Sequence, residues 1–227
     1  MSRREQYLEA LGVDLWRARA APPALAAPAL AATEPQWQAL RAEVSVCTRC
    51  ELSRTRTQTV FGVGNPRAEL LVIGEAPGAE EDRQGEPFVG RAGQLLNSML
   101  CAMGYPRETV YIANVLKCRP PGNRDPRPEE SASCRPFLQR QLALLRPRLI
   151  LAVGRIAAQN LLETNTAIAR LRGQVHRFGE SATPLIVTYH PAYLLRSPGE
   201  KRKAWGDLKF ARQQLARLRT QPLAAVG

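Results

Sequence analysis

The chain has 227 residues, enough for one sizeable core and short of two full domains. Its formal charge of +12, from 32 Lys and Arg against 20 Asp and Glu, points to a polyanionic partner, because binding one releases its counterions. No apolar run reaches the roughly 18 residues of a membrane span and Met1–Glu5 leads into no signal core, so a soluble, cytoplasmic monomer without membrane contact is expected.

In chain order, residues 1–17 carry Tyr7, Leu8, Leu11 and Leu15 at helical spacing, which predicts a short amphipathic helix. Residues 18–35 are rich in Ala and Pro and almost free of charge; they can bury little, and Pro interrupts helix, so they read as a linker. The globular domain is expected over residues 36–220, with a loose tail at 221–227. A helix is predicted over Gln36–Val44. Four short runs of β-branched and aliphatic residues then read as buried strands: Leu70–Ile73, Val110–Val115, Leu149–Val153 and Leu185–Thr188. Helical spacing falls between and after them, at Ala92–Met103, Pro128–Leu145, Arg155–Leu162 and Glu200–Leu218. This alternation predicts an α/β domain of three layers, α/β/α, around a central, mostly parallel four-stranded sheet.

Ligands of such sheets sit beyond the carboxyl ends of the strands. The first strand runs into Gly74-Glu75-Ala76-Pro77-Gly78, the second into Asn114 and the fourth into His190-Pro191, which brings three polar groups to one edge. Basic residues crowd the end of the chain: eight Lys and Arg against two acids between Arg196 and Arg219, a candidate DNA-facing edge.

The five cysteines do not suggest a disulfide framework in a reducing compartment. Cys47 and Cys50 form a CxxC pair, and Cys118 and Cys134 bracket a Pro/Arg-rich loop, so four thiolates are available to one metal centre. Spacing alone leaves zinc and iron–sulfur both open. Cys101, flanked by Leu100, Ala102 and Met103, reads as a buried helical residue outside that set.

Three blocks of sequence resemble the family 4 uracil-DNA glycosylases. They are Gly74-Glu75-Ala76-Pro77-Gly78 with Glu80-Glu81-Asp82 and Pro87 to Leu96; Asn114 to Pro121 with Asn123-Arg124; and His190 to Arg196. With the four cysteines, the similarity covers about Cys47 to Leu218. The resemblance implies an enzyme of base-excision repair that flips uracil out of DNA and hydrolyses its glycosidic bond, leaving an abasic site. It implies a [4Fe-4S] cluster on Cys47, Cys50, Cys118 and Cys134, and uracil-containing DNA as partner. A related branch becomes trapped covalently through a histidine after the second block; there is no His between Lys117 and Cys134. The alternative is a metal-stabilised nucleic-acid binding module without catalysis.

The residue chemistry is consistent with that resemblance. Phe88 offers a flat apolar face to an extruded ring, as the matching Phe does in the family. Asn114 can accept from the ring N–H of uracil and donate to the adjacent carbonyl, a pattern that cytosine reverses. His190 can donate to a uracil carbonyl as negative charge develops there, and the backbone of Gly74–Gly78, at Ala76 above all, can add donors. Glu75 is the candidate to orient or deprotonate the attacking water. His176 reads as a surface residue. Leu194 or Leu195 is expected to wedge into the gap in the duplex, Arg196 with Lys201, Arg202 and Lys203 to meet phosphates, and Arg119 with Arg124 and Arg127 to form a second phosphate edge.

Overall fold

The protein's structure, a computed structural model, describes residues 33–179 and 181–220. The helix expected over residues 1–17, most of the linker and the tail at 221–227 lie outside the described residues.

Helix α1, Thr33–Ser45, starts three residues before its expected first turn and includes the last residues assigned to the linker. A short 3-10 turn at Glu51–Arg54 follows, and then strand β1, Val63–Gly64. Strand β2 is Leu70–Gly74, followed by α2, Ala79–Gln84, and α3, Arg91–Met103. Strand β3, Tyr111–Asn114, leads to α4, Pro128–Leu145, where Pro takes the first helical position, at which no backbone N–H is needed. Strand β4, Leu149–Val153, is followed by α5, Arg155–Leu162, and α6, Ile168–Leu171. Strands β5, His176–Phe178, and β6, Thr183–Thr188, precede α7, Pro191–Arg196, and the long α8, Lys201–Arg219.

The four expected strands form the centre of the sheet, but the sheet has six strands, in the order β1-β3-β2-β4-β6-β5. Pairings within β3-β2-β4-β6 are parallel, and the two added edge strands, β1 on β3 and β5 on β6, are antiparallel. The edges escape sequence patterning because β1 is only two residues long and β5 only three, with every residue of both half-buried or exposed.

Every residue of β2, β3 and β4 is buried, as strands covered on both faces must be. Alternate side chains feed two cores. Leu71, Ile73, Ala113, Ile150, Ala152 and Val187 pack with α1, α4 and α5 through Leu40, Phe137 and Ala158. Leu70, Val72, Ile112, Leu151, Val153 and Ile186 pack with α3 and α8 through Leu100, Met103, Leu208 and Leu215. The Cys101 expectation is corrected here: Leu100 and Met103 take the core face of α3, and Cys101 is exposed. His176 is not a free surface side chain either; its Nε2 lies 2.7 Å from the carbonyl of Leu171.

Candidate active site

The carboxyl ends of the parallel strands open into a cavity of about 750 Å³. Its wall includes Glu75, Ala76, Phe88, Asn114, Tyr189 and His190. The residues expected at one strand edge are therefore brought to one cavity.

Register places Asn114. Gly74 pairs with Asn114 at the ends of β2 and β3, and parallel bonding runs on past both, with Val115 N donating to Gly74 O at 2.9 Å and Leu116 N to Glu75 O at 3.0 Å. From below, Lys117 Nζ donates to the Asn114 carbonyl at 2.8 Å and to Gln141 Oε1 at 2.6 Å. The Asn114 side chain is 2 % exposed and its Oδ1 has no hydrogen-bond partner. A buried acceptor left without a donor costs about 1–3 kcal/mol, a cost that a donor entering the cavity would relieve.

Gly74 is small by necessity. A Cβ there would lie 2.4 Å from Asn114 Oδ1 and 2.6 Å from Phe88 Cζ, so the aromatic ring and the amide close over the backbone of β2. Phe88 has φ +56°, the left-handed region in which a bulky residue is rare. The Glu81 carboxylate receives Val89 N at 2.9 Å and Gly90 N at 3.0 Å on one side of it. On the other, Arg107 donates to the Pro87 and Phe88 carbonyls at 2.6 and 3.3 Å.

His190 caps α7: its Nδ1 accepts from Ala192 N at 3.1 Å, which leaves the proton of a neutral ring on Nε2. Burial pulls its pKa down to about 4, the charge of Arg196 adds to the fall, and Glu81 opposes it. Its ring centroid is 5.7 Å from that of Phe88. Glu75 shifts the other way. Burial, reinforced by Asp125 and offset by Arg155, raises its pKa to about 7.

Asn123, Asp125 and Arg155 also line the cavity, with Arg155 Nη2 2.7 Å from Asp125 Oδ2. Sequence reasoning passed over Arg155 as a site residue, although it follows Gly154 at the carboxyl end of β4, at the same sheet edge as the other three strand ends. Arg119 Nε donates to Asn123 Oδ1 at 2.7 Å. Arg124, which also lines the cavity, makes a bidentate pair with the buried Glu130 at 2.9 and 2.5 Å.

At the rim, Leu195 is 37 % exposed, whereas Leu194 is 1 % exposed and packs with α3 and α8. Leu194 is therefore corrected from DNA contact to core residue; of the two, Leu195 is the exposed one. Arg196 is exposed and lines the cavity.

The four cysteines share one neighbourhood. Cys118 and Cys134 are buried, with Cys47 and Cys50 packed against the same core. Burial pushes the Cys134 thiol up to about 11 and raises that of Cys118; Cys50 adds to both shifts and Cys47 to that of Cys118. Arg56 Nη1 donates to Cys118 Sγ at 3.1 Å and Lys117 N to Cys134 Sγ at 3.3 Å. Among the described residues no three His, Cys, Asp or Glu side chains are arranged closely enough to hold a single metal ion.

Comparison with known proteins follows the same residues. Residues 61–209 match the family described as the Uracil DNA glycosylase superfamily. The chain is 48 % identical over 174 residues to the Type-4 uracil-DNA glycosylase of Archaeoglobus fulgidus, covering 74 % of this chain and 87 % of that protein. It is 41 % identical over 177 residues to the Type-4 uracil-DNA glycosylase of Pyrobaculum aerophilum, covering 75 % and 90 %. Similarity to the Type-5 uracil-DNA glycosylase of Thermus thermophilus is lower, 34 % over 153 residues, covering 58 % and 68 %.

Proposed function

We propose, from the premise that the chain belongs to the uracil-DNA glycosylase superfamily and aligns with its type-4 members over most of its length, that its strand-end cavity takes an extruded uracil and releases it from DNA. The observation that carries the assignment of residues is the buried, unpartnered Asn114 Oδ1 in the same wall as Phe88 and His190.

In this reading the uracil ring, swung out of the stack at a cost of a few kcal/mol, lies against Phe88. Its N3–H donates to Asn114 Oδ1 and its O4 accepts from the Asn114 amide; cytosine would leave both groups mispaired. As the bond from N1 to C1′ lengthens, the sugar gains oxocarbenium character and the electron pair moves onto the base. The Nε2–H of the neutral His190 then donates to the charged carbonyl, and Glu75 and Ala76 border the same space. Because the imidazole is neutral, it strengthens its hydrogen bond as charge grows without giving up its proton. Glu75, when ionised, accepts a proton from the water whose oxygen bonds to C1′; hydroxyl ends on the sugar, and the base leaves with the electron pair of the broken bond.

Cys47, Cys50, Cys118 and Cys134 would hold the [4Fe-4S] cluster. Four thiols with two N–H groups already aimed at sulfur suit such a centre, and metal binding itself deprotonates its ligands. Held by these four residues, a cluster would supply a structural tie between the Cys47–Cys50 turn, the segment after β3 and α4. Leu195 is the candidate wedge, and Arg119 and Arg196 the candidate phosphate contacts at the rim.

Incubation of the purified protein with a uracil-containing oligonucleotide, followed by alkali, tests the reading. Strand scission at uracil and none at cytosine is expected. Retention of the oligonucleotide without scission would favour a binding module instead.

A further inference from the structure

Phe88 holds the ring proposed to carry the uracil, yet its backbone sits at φ +56°, a strained region for a non-glycine residue that persists only if its surroundings impose it. Three restraints converge on this one residue. The Glu81 carboxylate fixes the two amides that follow it, Val89 and Gly90. Gly93 lies so close that an added Cβ would be 1.8 Å from the Phe88 carbonyl oxygen. The third is Arg107, which lies outside the sequence blocks that mark the site, in the short 3-10 turn Arg107–Thr109 before β3.

Arg107 reaches back to the loop with both terminal nitrogens. Its Nη2 donates to the Pro87 carbonyl at 2.6 Å, and its Nη1 to the Phe88 carbonyl at 3.3 Å and to Asn97 Oδ1 at 3.1 Å. A planar guanidinium can bridge two successive carbonyls in this way; an ammonium, a point donor on a flexible stem, cannot hold both in one plane. We propose that Arg107 is a positioning residue of the uracil pocket: by fixing the carbonyls on either side of the Phe88 Cα it holds the strained backbone that keeps the aromatic plate over Gly74. The inference rests on the reading of Phe88 as the uracil platform. Arg107 acts through that plate and touches no reacting atom.

A double-mutant cycle on the whole protein separates this role from a general structural one. Arg107→Ala, Phe88→Ala and the double variant are compared for inhibition by free uracil and for kcat and KM on a uracil-containing oligonucleotide, at a temperature where melting curves show each folded. Arg107→Ala should weaken uracil inhibition about tenfold, the scale set by releasing the left-handed backbone. Placed on Phe88→Ala, it should add less than twofold. Arg107→Lys should recover only part of the loss, and Asn97→Ala, which keeps both carbonyl contacts, should cost nothing in uracil inhibition. Full additivity of the two alanine variants would overturn the positioning role while leaving the pocket intact. If Phe88→Ala itself leaves uracil inhibition unchanged, the platform reading fails and the proposal with it. Should Arg107→Ala not fold, the cycle is run with Arg107→Lys, and additivity there overturns it equally.

Discussion

His190 is held as a neutral imidazole because burial in the cavity wall desolvates it and Arg196 stands near, and it is in that form that the proposed chemistry uses it. The unfolded chain binds a proton on this ring below its ordinary pKa near 6.5, while the folded chain does so only near 4. The stability it contributes is therefore complete above pH 6.5 and is lost as pH falls from there towards 4. Denaturant titrations between pH 7 and 4 should show this loss in the parent and lack it in His190→Ala. The same variant should lower kcat about 100- to 1000-fold, the worth of one donor to a developing anion, with KM little changed; a loss confined to KM would remove His190 from the chemical step. Glu75 has the opposite sign. With its pKa raised to about 7, the folded state keeps a proton that the unfolded chain releases near 4.5, so stability falls as pH rises between these values. Glu75→Gln should be the more stable protein above pH 7. If the ionised carboxylate activates water, kcat/KM should rise through pH 7 in the parent and lose that limb in Glu75→Gln. That Phe88, Asn114 and His190 line one cavity was legible in the sequence, Asn114 and His190 because they stand at strand ends and Phe88 because it falls within a motif block. Arg107 was not, since it acts on backbone carbonyls, which leave no pattern in neighbouring residue types. Nor could adjacent, identical Leu194 and Leu195 be told apart before the facing of α7 was known.

At the level of elements, β2 and β3 bring a glycine and an asparagine into register, and both faces of that pair are used. Gly74→Ala should abolish uracil release by more than it lowers the melting temperature, because its Cβ meets Asn114 Oδ1 and the Phe88 ring, both side chains able to move out of position. Equal loss of folding and activity would mean that the ring and amide are held by core packing and not by the small residue beneath them. A second joint is the buried pair of Arg172 and Asp207, at 2.7 and 3.0 Å, with Thr188 Oγ1 donating to the same carboxylate at 2.9 Å. It links α8 to the end of β6, and Arg172 also covers the Tyr189 ring at 4.2 Å, one residue before His190. Asp207→Ala should cost about 1–3 kcal/mol in denaturant unfolding, since it leaves the buried Thr188 hydroxyl and the partly exposed guanidinium without their acceptor. The four central strands and the long helices were readable because burial on both faces writes continuous apolar runs and helical spacing. The edge strands were not: β5, three residues long with one apolar side chain, and β1, two residues long, are both too short to carry a period.

For the molecule as a whole, excess positive charge sits where the cavity rim continues into α8. Arg196, Lys201 and Arg202 are exposed there without a carboxylate at ion-pair distance among the described residues, whereas Lys203 is engaged by Glu200 at 2.9 Å. Replacing Lys201 and Arg202 by alanine should weaken binding evenly across DNA sequences and reduce the slope of log K against log salt by about one for each phosphate no longer neutralised. An unchanged slope would move the duplex to another face. A purified protein that is brown would support the iron–sulfur centre, and a colourless one would favour zinc. The most direct test of the pocket is a crystal structure with abasic DNA and free uracil. The uracil ring should lie on Phe88, with N3 at hydrogen-bond distance from Asn114 Oδ1 and a carbonyl oxygen about 3 Å from His190 Nε2. Uracil bound elsewhere, with Asn114 Oδ1 still unpartnered, would contradict the assignment of these residues.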